Sequence, residues 1–231
     1  MVANSDQWSY PALTKPTSDG AYCYHIQRRL SVWFSIWLAR HITPTAATGL
    51  DLIFGIAAAT LVLLDNWLWA AILIQVFGIF SCVDGEIARI QDQSSRIGDF
   101  LDTMTDRTIE LLIIGAIAFS LSYKAEPSAV LAASLGLLGG VFLLTTSSEK
   151  FRSSYQTGYP KRKLEKFFGL LCAGSDSRLL ALSLGLIISD LTGNSLILLW
   201  ILWMLTAAIY LNFLVRIRLI YKHFRTEIVT E

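Results

Sequence analysis

The sequence predicts an all-α, polytopic membrane protein with six transmembrane helices preceded by an N-terminal amphipathic interfacial helix. Three observations predict it. Apolar residues make up 54% of the 231 and mean hydropathy is +0.52, too high for an ordinary soluble domain. Apolar runs follow one another along most of the chain, separated by short polar seams. Lysines and arginines sort to one side of the layout that those runs imply.

The first twenty residues are polar and turn-rich, without a signal-peptide pattern, and predict an irregular arm. From Tyr24 to Ile42 the pattern changes. Ile26, Leu30, Trp33, Trp37 and His41 recur at helical spacing, with Phe34 and Leu38 beside them. Arg28, Arg29 and Arg40 lie off that stripe. The expectation is a helix on the membrane surface, tryptophans in the headgroup layer and arginines toward anionic lipid. Residues 1–43 thus form the arm and surface helix, and 44–231 the transmembrane domain.

Thr43-Pro44 ends the surface helix, because the residue before proline disfavours the α region. A first span is expected from about 45 to 64, then a tight turn at Asp65-Asn66. The second runs from Trp67 to about Ile90, with Trp67 and Trp69 suited to an interface belt. The third covers about 98–123 and the fourth about 129–147. A long basic connection, 148–177, precedes the fifth span at 178–191 and the sixth at 195–221.

With six spans, both termini, the 90–97 loop and the 148–177 connection share one side. Of 19 lysines and arginines, only Lys124 falls elsewhere. The positive-inside rule makes the shared side cytoplasmic.

Net charge is +1, so no bulk field points to nucleic acid. Cys23, Cys82 and Cys172 are odd in number and scattered, which predicts reduced or buried thiols. The length suits one helical bundle.

The chemistry concentrates between Ser81 and Asp106. A charge at the centre of a membrane helix costs roughly 2.5–3.5 kcal/mol on insertion scales, so acidic residues here need a reason. Asp84 and Ala88 are one turn apart on the second span. Gly98, Asp102 and Asp106 repeat every four residues along one face of the third. A short loop makes the two helices antiparallel neighbours, so their carboxylates are expected to converge. Carboxylates that close raise one another's pKa unless a cation joins them. Oxygen donors without His or Cys favour a hard divalent ion, Mg²⁺ or Mn²⁺. Gly85 and Gly98 let a ligand approach the backbone, and Arg89 can neutralise a phosphate. Arg107 and Glu110, three apart, predict a structural ion pair.

Asp-Gly-x2-Ala-Arg-x8-Gly-x3-Asp-x3-Asp, running from Asp84 to Asp106, closely resembles the signature of the CDP-alcohol phosphotransferase family. The layout of surface helix and six spans is similar too. The resemblance implies a membrane enzyme that moves a phosphoryl-alcohol group from a CDP-linked donor, CDP-diacylglycerol or a CDP-polyol, to an acceptor hydroxyl and releases CMP. It implies Asp84, Asp102 and Asp106 as ligands of two Mg²⁺ or Mn²⁺ ions, with Asp106 as the general base. It implies Asp84, Gly85, Ala88, Arg89 and Gly98 as the CDP-binding positions, and a homodimer.

The chain departs from the signature at Ser81, where the family usually carries a further aspartate. Asp51, in the first span, stands where a small polar residue is usual. Ser81 or Asp51 is therefore the candidate for a remaining metal ligand. The basic 148–178 segment suits an anionic acceptor, with Arg152, Arg178 and Lys150 as candidate contacts. Thr17-Ser18-Asp19-Gly20 before Arg28-Arg29, and Ser177-Arg178-Leu179-Leu180, resemble the di-myo-inositol-phosphate-phosphate synthase branch. That makes inositol phosphate, or a similar phosphorylated polyol, the expected acceptor. Two alternatives stay open: a catalytically weakened family member with a binding role, motivated by Ser81, and an ion-coupled transporter, since intramembrane carboxylates also mark ion pathways.

Overall fold

The computed structural model describes residues 13–14, 19–168 and 172–224. Most of the expected arm, including Lys15, Thr17 and Ser18, lies outside them, as does Arg225. Among the described residues every regular element is helical.

A π-helical turn, Cys23–Gln27, leads into α1, Arg28–Leu38. Thr43 then caps α2, Pro44–Leu63, its hydroxyl accepting from Ala46 N, with Pro44 in the first turn where a missing N–H does no harm. Asp65, at φ 58°, makes the turn to α3, Trp67–Ile90. Ser95 caps α4, Arg96–Ser122, by accepting from Gly98 N. Glu126 caps α5, Pro127–Tyr155, by accepting from Ala129 N. The short α6, Lys161–Leu164, lies in the connection. The last two helices are α7, Ser175–Thr192, and α8, Leu196–Phe224, joined by Gly193 in the left-handed region.

α3 is central: α1, α2, α4 and α7 all pack on it. α2 also packs on α4, and α8 on both α5 and α7. One apolar core runs through the bundle, built on Ile74, Ile113, Leu137, Leu186 and Leu202. Small residues let the helices close up. A Cβ at Gly55 would collide with Ile109, which fixes α2 hard against α4. Large apolar residues such as Phe119, Phe142, Trp200 and Met204 point outward.

Among the described residues four helices are long and apolar enough to cross a membrane: Pro44–Leu63, Trp67–Ile90, Pro127–Tyr155 and Leu196–His223. The six expected spans also include α4 and α7, which do not meet that standard. Asp106, Arg107 and Glu110 interrupt α4, and Asp176, Arg178 and Asp190 interrupt the eighteen-residue α7.

Two expectations about the surface change. The stripe of Ile26, Leu30, Trp33 and Trp37 does face outward, with Trp33 73% exposed. Arg28, expected toward lipid, is instead 6% exposed and turned into the protein. Its reason is Glu86, buried on α3, which needs a cation beside it. Trp67, expected at the interface, is also inside. Its indole donates to Ser120, and the Lys124 ammonium lies over its ring at 5.0 Å. Trp69 is exposed.

Candidate active site

The signature residues open onto two cavities that meet at one side chain. The larger, about 560 Å³, is lined by Thr48, Asp84, Gly85, Ala88, Arg89, Gly98 and Asp102. The smaller, about 210 Å³, is lined by Ser81, Asp106, Arg107, Lys161 and Asp176, and again by Asp102. Asp102 thus borders both.

Hydroxyls from neighbouring helices orient the carboxylates. Thr48 of α2 donates to Asp84 Oδ2 at 2.7 Å. Ser81 of α3 donates to Asp106 Oδ1 at 2.9 Å. Two of the three signature carboxylates therefore turn to separate partners. Among the described residues no three carboxylate, imidazole or thiolate groups stand close enough to hold an ion as they are placed. The donor set is nonetheless all oxygen and anionic, the chemistry a hard divalent cation requires.

Gly85 leaves space rather than relieving crowding, whereas a Cβ on Gly98 would press on Ser95 Oγ at 3.1 Å. A Cβ on Gly85 would meet only the tip of Arg89, at 3.5 Å, so the fold tolerates one there. The room it would fill belongs to the larger cavity. Arg89 lines that cavity, while its guanidinium donates twice to the Leu13 carbonyl, at 2.6 and 3.0 Å.

Asp51 is on α2, one turn beyond Thr48. It is 2% exposed, and its Oδ1 is buried without a hydrogen-bond partner. The nearby charges it feels most are the carboxylates of Asp106, Asp84 and Asp102.

The candidate acceptor residues lie elsewhere. Arg178 lines neither cavity. It is buried against Glu110, with Nε and Nη2 at 2.7 and 2.6 Å from Oε1, and it also donates to the Cys172 carbonyl. Glu110 takes Arg107 on its other oxygen, so the expected Arg107–Glu110 pair is one arm of a triad around a buried glutamate, Arg107 itself being partly exposed. Arg152 is exposed and paired with Asp99 at 2.6 Å, on the rim of the larger cavity. Lys150 is exposed and lines neither. The cations that do line the smaller cavity are Arg28, Arg107 and Lys161. Lys161 is pushed down to about 8, first by burial and then by Arg216, Arg107 and Arg178 around it.

Three further residues were missed in the sequence. Glu86, inside the signature, is fully buried and accepts from Arg28 and Ser31 on one oxygen and Ser35 on the other, at 2.7–2.9 Å. A further acidic residue in the last turns of an apolar helix, beside Asp84, was the available signal. Asp176 accepts from Cys23 N at 2.8 Å and sits where a Cβ on Gly20 or Gly174 would collide with it. It ties the N-terminal segment to α7 at the edge of the smaller cavity. Thr48 left no signal, since a threonine in a helix is ordinary. Cys23 and Cys82, far apart in sequence, bring their sulfurs to 3.6 Å as free thiols.

The family model for CDP-alcohol phosphatidyltransferase matches residues 41–208. The chain belongs to that family. Over 141 residues it is 33% identical to the bifunctional IPC transferase and DIPP synthase of Thermococcus kodakarensis, covering 61% of this chain and 32% of that protein. Over 96 residues it is 33% identical to the phosphatidylinositol phosphate synthase of Corynebacterium glutamicum, covering 41% and 44%. The chain therefore spans between a third and a half of the length of these curated relatives. Its fold is that of the phosphatidylinositol phosphate synthase of Mycobacterium tuberculosis. The crystal structure of that protein with CDP-DAG bound gives a TM-score of 0.67 at 20% identity, covering 84% of this chain and 94% of that one. The same protein with manganese and citrate gives 0.66 at 20%, covering 83% and 88%.

Proposed function

We propose that this chain transfers a phosphoryl-alcohol group from a CDP-linked donor to the hydroxyl of a phosphorylated polyol, releasing CMP. The observation that carries the reading is Asp102, which borders a larger cavity lined by the signature and a smaller one where Arg28, Arg107 and Lys161 stand among the carboxylates of Asp19, Asp106 and Asp176. The larger cavity takes the CDP-linked donor. Gly85, Ala88 and Gly98 leave room for the nucleotide, and Arg89 faces its phosphates. The smaller cavity takes the acceptor, with Arg107 and Lys161 balancing the acceptor's own phosphate. Arg152 and Lys150 lie farther out and serve the entrance, and Arg178 acts through Glu110 and Arg107.

Asp84, Asp102 and Asp106 are the residues that would hold two Mg²⁺ or Mn²⁺ ions, which supply neutralisation of the diphosphate and of the departing CMP. Asp106 removes the proton from the acceptor hydroxyl. The resulting oxygen attacks the phosphorus next to the donor's alcohol. The bond from that phosphorus to the CMP oxygen breaks, and its electron pair leaves with CMP.

In the membrane, α4 and α7 cross as well, giving six spans. At 1.5 Å per residue α4 reaches about 40 Å and α7 about 27 Å, and both pack on helices that span. The outward stripe of α1 lies on the membrane surface, with 1–43 as the arm and surface helix and 44–231 as the transmembrane unit. The cation count puts the site and both termini in the cytoplasm, and the protein acts as a homodimer. CDP-diacylglycerol and inositol phosphate are the first substrate pair to try, given the substrates in the relatives' names.

The test is CMP release from CDP-diacylglycerol or a CDP-polyol, with inositol phosphate as acceptor, with and without Mg²⁺ or Mn²⁺. Metal-dependent release that Asp102→Asn abolishes is expected. No release with any pair, together with metal-independent solute uptake into vesicles, overturns the reading.

A further inference from the structure

We propose that Asp51 supplies a fourth carboxylate to the cation site, from a third helix. The inference rests on the phosphotransfer reading above and names a ligand that the signature does not contain.

Position comes first. Thr48, Asp51 and Gly55 fall at i, i+3 and i+7 and share one face of α2. At one end of that face Thr48 binds Asp84 of α3. At the other, Gly55 lies so close to Ile109 of α4 that a Cβ would collide with it. Ile109 is three residues past Asp106. Asp51 therefore lies about 4.5 Å along the axis from one contact and about 6 Å from the other. The fold fixes it between the two helices that carry Asp84, Asp102 and Asp106.

Its surroundings come second. A carboxylate kept only for structure finds a donor or a cation, because burial without one is costly. Asp51 is 2% exposed, and among the described residues no group donates to its Oδ1. The two hydroxyls at hand are directed elsewhere, Thr48 to Asp84 and Ser81 to Asp106. The charged side chains that act on it most, Asp106, Asp84 and Asp102, are all of its own sign. Four carboxylates on three helices are an unfavourable arrangement alone and a balanced one around two divalent cations. Ser81, neutral, sits across the site on α3. The fourth negative charge thus comes from α2, and Ser81 serves to orient Asp106.

The test measures metal binding directly. Wild type, Asp51→Asn, Asp102→Asn and the double variant Asp51→Asn/Ser81→Asp are purified in detergent. Free Mn²⁺ is titrated by electron paramagnetic resonance, and thermal melting is followed in chelator and in Mn²⁺. Asp51→Asn is expected to weaken Mn²⁺ binding by at least the roughly 10–100-fold that even outer partners of a metal site contribute. The double variant is expected to regain it, since the carboxylate returns from α3. In chelator Asp51→Asn melts above wild type, because one of four like charges is gone. Wild-type Mn²⁺ affinity in Asp51→Asn overturns the inference. So does a lower melting temperature in chelator with no recovery in the double variant, which marks a structural aspartate. If Asp102→Asn loses Mn²⁺ and Asp51→Asn does not, Asp51 alone is wrong. If Asp102→Asn also binds normally, the phosphotransfer site itself is wrong.

Discussion

Ser81 Oγ donates a 2.9 Å hydrogen bond to Asp106 Oδ1, joining α3 to α4 at the wall of the smaller cavity. In the proposed reaction the other oxygen of Asp106 takes the proton of the acceptor hydroxyl. Hydrogen bonds to charged groups contribute about 1.5–3 kcal/mol. Ser81→Ala is therefore expected to lower kcat by about 10- to 10²-fold, with the donor KM unchanged. Asp106→Asn removes the proposed base and is expected to cost about 10²–10⁴-fold. Steady-state CMP release on both variants checks the order. Equal activity of Ser81→Ala and wild type would mean that Asp106 is oriented by something else.

Lys161 gives the site a pH limit. Burial and three neighbouring arginines hold it near 8, below its ordinary 10.5. The ammonium proposed to meet an acceptor phosphate is present below about 8 and is lost above. The acceptor kcat/KM is expected to fall as pH rises through 8, since that parameter reports the free enzyme. Lys161→Arg keeps its charge and should flatten this limb. Stability moves the other way. The unfolded chain binds more protons here between about 8 and 10.5, so this residue adds stability as pH rises through that window. A profile for Lys161→Arg with the wild-type alkaline limb would remove Lys161 from the acceptor site.

Glu86 holds α1 to α3. It is fully buried and is the common acceptor for Arg28, Ser31 and Ser35. Removing one partner of a buried pair leaves an uncompensated charge, at a cost of about 3–5 kcal/mol. Glu86→Ala should lower the melting temperature in detergent well beyond Ser31→Ala or Ser35→Ala. Arg28 retains Asp19 at 3.0 Å, so a double variant Glu86→Ala/Arg28→Ala should show clear non-additivity. Additive losses would mean that the two side chains act independently.

How far the sequence could be read follows from the kind of signal each feature leaves. The helices were legible because apolar runs, Thr43-Pro44 and the polar seams are local. The meeting of α3 and α4 was legible because a short loop allows little else. The outward stripe of α1 was legible from its spacing, but the destination of Arg28 was not. Its partner Glu86 is 58 residues away, and only packing brings them together. Arg178 shows the same limit. Placed by its neighbours in sequence it belongs beside an acceptor, yet it is turned to Glu110, 68 residues back. Basic residues in a connecting segment look alike on paper. Lys161 is distinguished only by the cavity it lines.

The connection after α5 is clasped to α8, and the clasp has consequences for the acceptor side. Arg216 and Glu165 are both fully enclosed and meet twice, Nε to Oε1 and Nη2 to Oε2, each at 2.7 Å. Tyr159 donates to the same Glu165 at 2.9 Å and lies under the guanidinium at 4.8 Å. The remaining nitrogen of Arg216 donates to Leu144 O and to the hydroxyls of Ser147 and Ser148 on α5. Lys161 is in the short helix between Tyr159 and Glu165, so the clasp sets where its ammonium stands. Glu165→Gln keeps the shape but not the charge. It is expected to destabilise the protein by a few kcal/mol, since the buried guanidinium loses its counter-charge. It should also raise the acceptor KM while leaving the donor KM near wild type, because α3 and α4 are untouched. Thermal melting and separate KM values for donor and acceptor check both. A donor KM that rises as much as the acceptor KM would mean the clasp supports the whole bundle rather than one side of the site.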